Sequence, residues 1–168
     1  MNIAVIGMDN TGKTFLCESL VKMFTFEGYT CDSIHSPGPK TTEELMSFMD
    51  KYLLKNKYNH EVRIFDRFPI IEEAVYGKLL RGGSRFDDEE YNKETLGKID
   101  AFVYCYPGME SILNWQDREQ MDGVKENAEA IVDEYSNVIK QLIKEGHKVI
   151  EYNYNINCTH DVFESLVK

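Results

Sequence analysis

The chain is short of positive charge: 19 lysines and arginines face 29 aspartates and glutamates over 168 residues, a formal net charge of −10. Such a balance repels a nucleic-acid backbone unless the basic residues gather on one face, so a polynucleotide partner is disfavoured. Paired metal-ligand spacings are missing as well. Cys17, Cys31, Cys105 and Cys158 form no CxxC, and His35, His60, His147 and His160 form no ligand or catalytic pair. Scattered thiols of this kind are expected to stay reduced, in a cytoplasmic protein without structural zinc. No apolar run approaches the roughly 20 residues of a membrane-spanning helix. The run Ile3 to Ile6 behind Met1 is too short for a secretory signal and has no basic segment before it. No membrane partner is expected. Internal repeats and low-complexity segments are absent too, so residues 1–168 read as a single domain.

What is present is the composition of an ordinary globular protein, 42% hydrophobic and 29% charged. Five segments have the length and residue types of buried strands: Ile3 to Ile6, Thr30 to Ile34, Val62 to Phe65, Ala101 to Tyr106 and Lys148 to Tyr154. Helical spacing of apolar residues runs between them over Thr14 to Phe26, Thr42 to Leu54 and Ala128 to Ile143. Pro69 suits the first turn of a further helix that reaches Leu80 and stops at Gly82 and Gly83. Alternating strands and helices predict an α/β fold, a five-stranded parallel sheet with helices on both faces. Polar residues interrupt the apolar period over about 114–127, which reads as a short lid.

The sequence Gly7-Met8-Asp9-Asn10-Thr11-Gly12-Lys13-Thr14 matches GxxxxGK[ST] between a strand and a helix, the context this phosphate-binding loop requires. Its glycines let successive N–H groups turn inward around phosphates, and the helix N-terminus adds its positive end. Gly7, Asn10, Thr11, Gly12, Lys13 and Thr14 are therefore assigned to ATP. Lys13 reaches the β/γ-phosphates, and the Thr14 hydroxyl serves Mg²⁺. The fold expected is the three-layer P-loop NTPase fold.

The third strand ends in Asp66-Arg67-Phe68-Pro69, which sets a carboxylate and a guanidinium at the carboxyl edge of the sheet, where ligands bind in such folds. Asp66 can serve magnesium or take a proton, and Arg67 can grip a phosphate through two nitrogens. A guanine-reading NKxD is absent, as is a DxxG switch downstream of the loop, which argues against a GTPase.

On the P-loop with its acid Asp9 and on the Asp66-Arg67-Phe68 element, the chain resembles the thymidylate kinases, within the nucleoside monophosphate kinases. It is shorter than most cellular members, as a trimmed, phage-type relative would be. The resemblance implies that Asp9 lies near the acceptor sugar, that Asp66 and Arg67 serve magnesium and the acceptor phosphate, and that the protein forms a homodimer. It also implies a catalytic arginine in the loop or the lid. Position 10 is Asn, which leaves Arg118, with Lys125 as second choice. Phe48 and Phe68 are candidates to stack on the acceptor base, and Arg81 to contact its phosphate, although Arg81 also complements the negative end of its own helix. Where the family has Arg-Glu-Pro-Gly after the second strand, this chain has His35-Ser36-Pro37-Gly38.

The expected reaction is transfer of the γ-phosphoryl of magnesium ATP to a (deoxy)nucleoside monophosphate, dTMP or another dNMP, with Lys13, Asp66, Arg67 and Arg118 as the catalytic set. Two other classes remain open. A deoxynucleoside kinase would use Asp66 as base toward a 5′-hydroxyl, and a regulator would hold ATP without turnover.

Overall fold

A computed structural model describes residues 1–36, 41–53, 61–114 and 123–168. Five strands, β1 (Asn2–Ile6), β2 (Thr30–His35), β3 (Glu61–Asp66), β4 (Ala101–Cys105) and β5 (Val149–Tyr152), form one sheet. Their order is β2-β3-β1-β4-β5 and every pairing is parallel. The expected α/β architecture is therefore the observed one, and each strand overlaps its sequence-predicted segment. All five residues of β1 are buried, as are those of β4. That suits central strands covered on both sides, which need apolar residues throughout rather than in alternation.

Two cores follow from the alternation of side chains across the sheet. Ile3 and Val5 face α1 (Lys13–Phe26) and α8 (Thr159–Val167), packing with Leu16, Leu20, Phe24 and Phe163. Ala4 and Ile6 face the opposite way, toward α2 (Thr42–Leu53) and α7 (Ala128–Lys144), with Leu45, Met49, Ile131 and Ile139. The predicted helix from Pro69 is present but not uniform. Pro69 occupies its first turn in α3 (Pro69–Glu72), a π-turn follows over Glu73–Gly77, and α4 (Lys78–Arg81) completes it. Three shorter helices had not been anticipated as elements: α5 (Glu89–Leu96), α6 (Met109–Asn114) and α8. Of the stretch read as a lid, residues 115–122 lie outside the described residues. Its end is anchored: Val124 is fully buried in the core, and the Asn127 side chain donates to the Gly123 carbonyl at 2.8 Å.

The π-turn has an identifiable function in the packing. It presents Glu73 inward, 3% exposed, where Arg81 and Arg85 each donate to Oε1 at 2.5 Å and the Arg85 backbone N–H reaches Oε2 at 3.3 Å. The chain folds back on the helix end so closely that a Cβ on Gly77 would lie 2.9 Å from the Gly83 carbonyl oxygen and 3.1 Å from Ser84 Cα. Burial pushes the Glu73 carboxyl up, but the hydrogen bonds from Arg85 and Arg81 outweigh it and hold the group below the usual glutamate range. A carboxylate whose folded pKa is depressed contributes stability above its unfolded pKa, and that contribution is lost as pH falls through the folded value. Glu73→Ala, which leaves two partly exposed guanidiniums without their carboxylate, is expected to cost about 1–3 kcal/mol in denaturant unfolding at neutral pH, with a smaller difference from the parent in acid.

Candidate active site

The loop from β1 to α1 curls because three residues take left-handed or related backbone angles: Gly7 at φ 140°, Asn10 at φ 63° and Gly12 at φ 85°. Gly7 has no alternative, since a Cβ there would stand 2.5 Å from the Cys105 carbonyl oxygen. Gly12 precedes α1 without a side-chain cap, so the first N–H groups of that helix are left for a ligand. Thr11 and Lys13 tie the loop to itself: the Thr11 hydroxyl and the Lys13 ammonium both donate to the Met8 carbonyl, at 2.7 and 2.6 Å. Burial, joined by the charge of Arg67, lowers the proton affinity of Lys13. A polyanion beside it would reverse that effect, so the ammonium has a strong electrostatic reason to leave Met8 for phosphate.

β3 runs beside β1 with Val5 opposite Asp66, which brings the end of β3 against the start of α1. The Thr14 hydroxyl donates to Asp66 Oδ2 at 3.0 Å, and His35 Nδ1 lies 3.2 Å from the same oxygen. Asp66 Oδ1 is buried with no hydrogen-bond partner among the described residues. An orphaned carboxylate oxygen next to a P-loop hydroxyl fits a hydrated divalent cation held by one or two protein groups and substrate phosphates. No group of three or more Asp, Glu, His or Cys side chains that could cage a metal occurs among the described residues.

Arg67 sits at φ 74°, rare for a residue with a side chain, and its N–H donates to the Val5 carbonyl at 3.0 Å. The turn aims the guanidinium across the mouth of the loop. There Nη2 pairs with Asp9 Oδ1, and Nη1 lies 3.6 Å from Glu72 Oε2. Burial alone would loosen the Arg67 proton, but Glu72 and Asp9 outweigh it and the group stays charged. Tyr135 on α7 donates to Glu72 Oε1 at 2.8 Å. Burial raises the Glu72 carboxyl, against the pull of Arg67 and Lys13.

Nine of the sequence-derived residues thus meet at one sheet edge: the loop residues Gly7, Asp9, Asn10, Thr11, Gly12, Lys13 and Thr14 with Asp66 and Arg67. Others go elsewhere. Phe68 is fully buried, packed edge-on to Phe65 at 5.6 Å, so its ring is committed to the core rather than to a base. Arg81 is committed to Glu73. Phe48 stays half-buried on α2, its ring 5.1 Å from that of Tyr52, and both line a cavity of about 550 Å³ that His35 also borders. Arg118 lies outside the described residues, and Lys125 is exposed. Sequence reasoning gave no part to Glu72 or His35. Tyr135, which the sequence offers at most as an aromatic that could stack on a base, is buried on the stripe that Ile131 and Ile139 mark.

The five-stranded parallel sheet with helices on both faces and the loop between β1 and α1 together make the three-layer P-loop NTPase fold that the sequence predicts. Among solved structures, the YorR protein of Bacillus subtilis in complex with phosphorylated GDP is similar at TM-score 0.74 and 17% identity, over 99% of this chain and 94% of that one. Deoxyadenosine kinase from M. mycoides with bound dATP matches at TM-score 0.62 and 17% identity, covering 100% of both chains. At these identities the likeness is one of fold. No family model and no curated protein sequence matches the chain.

The clash at Gly7 gives a direct check on the loop. Gly7→Ala combines a backbone angle foreign to alanine with a 2.5 Å contact to a carbonyl. It is expected to cost at least about 1–3 kcal/mol in thermal unfolding and to abolish binding of a fluorescent ATP analogue.

Proposed function

We propose that this chain is an ATP-dependent nucleotide kinase that transfers the γ-phosphoryl group to a (deoxy)nucleoside monophosphate, dTMP or another dNMP. The observation that carries the reading is the strained Arg67, which holds a permanently charged guanidinium beside the P-loop acid Asp9 and next to the Asp66–Thr14 pair. In-line transfer forms a bond from an acceptor phosphate oxygen to the γ-phosphorus and breaks the bond to the β,γ-bridging oxygen, with ADP leaving. Both reactants are anions, so the main work is to neutralise charge and fix the approach.

Lys13 and the loop N–H groups take the donor phosphates, and Arg67 takes the acceptor phosphate through Nη1, the nitrogen that Asp9 leaves open. Thr14 and Asp66 would hold Mg²⁺, whose charge would offset that of the triphosphate. Arg118 is proposed from sequence as the arginine at the transferring phosphoryl group. Four of the five arginines fall among the described residues, and each is in an ion pair with a carboxylate. Arg67 alone of these stands at the loop, which is why the acceptor phosphate is assigned to it.

A second reading has its own support. Asp9 and Glu72 place two carboxylates around the Arg67 guanidinium, and the unpartnered oxygen of the neighbouring Asp66 could accept a proton from a sugar 5′-hydroxyl. The dATP-bound deoxyadenosine kinase shares the fold. A coupled ADP-release assay over monophosphates and their parent nucleosides separates the two. Turnover with monophosphates alone is expected, falling by two orders of magnitude or more in Arg67→Ala and, through kcat rather than ATP affinity, in Arg118→Ala. Near-normal turnover in Arg67→Ala would overturn the acceptor assignment, and silence across the panel would favour an ATP-binding regulator.

A further inference from the structure

Two carboxylates compete for Arg67, and they are held very differently. Asp9 belongs to the P-loop and pairs tightly with Nη2. Glu72 approaches Nη1 only to 3.6 Å, although the same helical run carries it next to the guanidinium. Its other oxygen is engaged by the Tyr135 hydroxyl at 2.8 Å, a donor from a different helix. A half-buried carboxylate 3.6 Å from a guanidinium is drawn toward it, and a full two-oxygen pair would be its natural end state. The hydrogen bond to Tyr135 opposes that closure.

We propose that Tyr135 is a positioning residue that restrains Glu72, keeping Arg67 Nη1 available to the acceptor phosphate. Without the restraint Glu72 closes on Arg67 and occupies the nitrogen that the phosphate requires. The proposal rests on the reading that the acceptor carries a phosphate. Its signature is selective: affinity for the acceptor falls, while ATP, bound through the loop and Lys13, is unaffected.

The Tyr135 ring is suited to a clean test. It lies fully buried, stacked 5.9 Å from Tyr104 and edge-on to Tyr76 at 6.0 Å, contacts that phenylalanine retains. The experiment is steady-state kinetics on the full chain for Tyr135→Phe, Glu72→Gln and the double variant, with MgATP and a monophosphate varied separately. Tyr135→Phe is expected to raise the monophosphate KM about tenfold, the worth of one hydrogen bond to a charged group, with ATP KM unchanged. Glu72→Gln removes the charge that closes on Arg67, so adding Tyr135→Phe to it should change nothing further. An equal effect of Tyr135→Phe in both backgrounds, or a matching rise in ATP KM, overturns the restraint while leaving the kinase reading intact. Parent turnover with nucleosides but not monophosphates overturns both.

Discussion

The Arg67 N–H donates to the Val5 carbonyl at 3.0 Å, one bond beyond the regular pairing of β1 with β3. That extension fixes where the two strands release the chain. β1 turns into the loop at the same level at which β3 delivers Asp66 and Arg67, so the loop and the Asp66–Arg67 pair converge without any long-range adjustment. The cost is the left-handed backbone of Arg67, of order 1–3 kcal/mol, supported by the buried neighbours Asp66 and Phe68 on either side. Parallel pairing and the coverage of β1 on both faces make this edge rigid, and a rigid edge is what charge-based catalysis needs.

Charge is distributed against the grain of the whole molecule. A chain with net charge −10 places Lys13 and Arg67 together at one buried point, where burial works against Lys13 and the carboxylates of Asp9 and Glu72 work in its favour. Such a site is internally balanced before any ligand arrives. Phosphates would replace Met8 as the partner of Lys13, and a divalent cation would satisfy the Asp66 oxygen that the described residues leave bare. The distant acidic surface matters less, because screening weakens it over roughly 8–10 Å of salt solution.

The strands were legible because central parallel strands are apolar along their whole length, a pattern that β1 and β4 show without interruption. The loop was legible because its glycines are required by local geometry, and geometry of that kind is written in consecutive residues. What escaped depends on contacts between distant segments. α5 buries only Thr95 and is marked by its cap, Asp88, which accepts from the Tyr91 N–H at 3.0 Å, rather than by an apolar face. The roles of Arg81 and Glu73 rest on a π-turn that shifts which side chains point inward, and helical spacing cannot reveal such a shift. Phe68 follows the Asp-Arg pair in sequence, yet the turn at Arg67 sends its ring into the core. Tyr135 and Glu72 are 63 residues apart and meet only because α7 packs across the helix after β3.

The central claim is that the γ-phosphorus of ATP leaves this site attached to a nucleotide. Phosphorus NMR of the protein with MgATP and a deoxynucleoside monophosphate follows that atom directly. The account predicts the two coupled resonances of a new nucleoside diphosphate growing as the acceptor signal falls, in step with ADP. Release of the γ-phosphorus as orthophosphate alone, with the monophosphate signal unchanged, would contradict it.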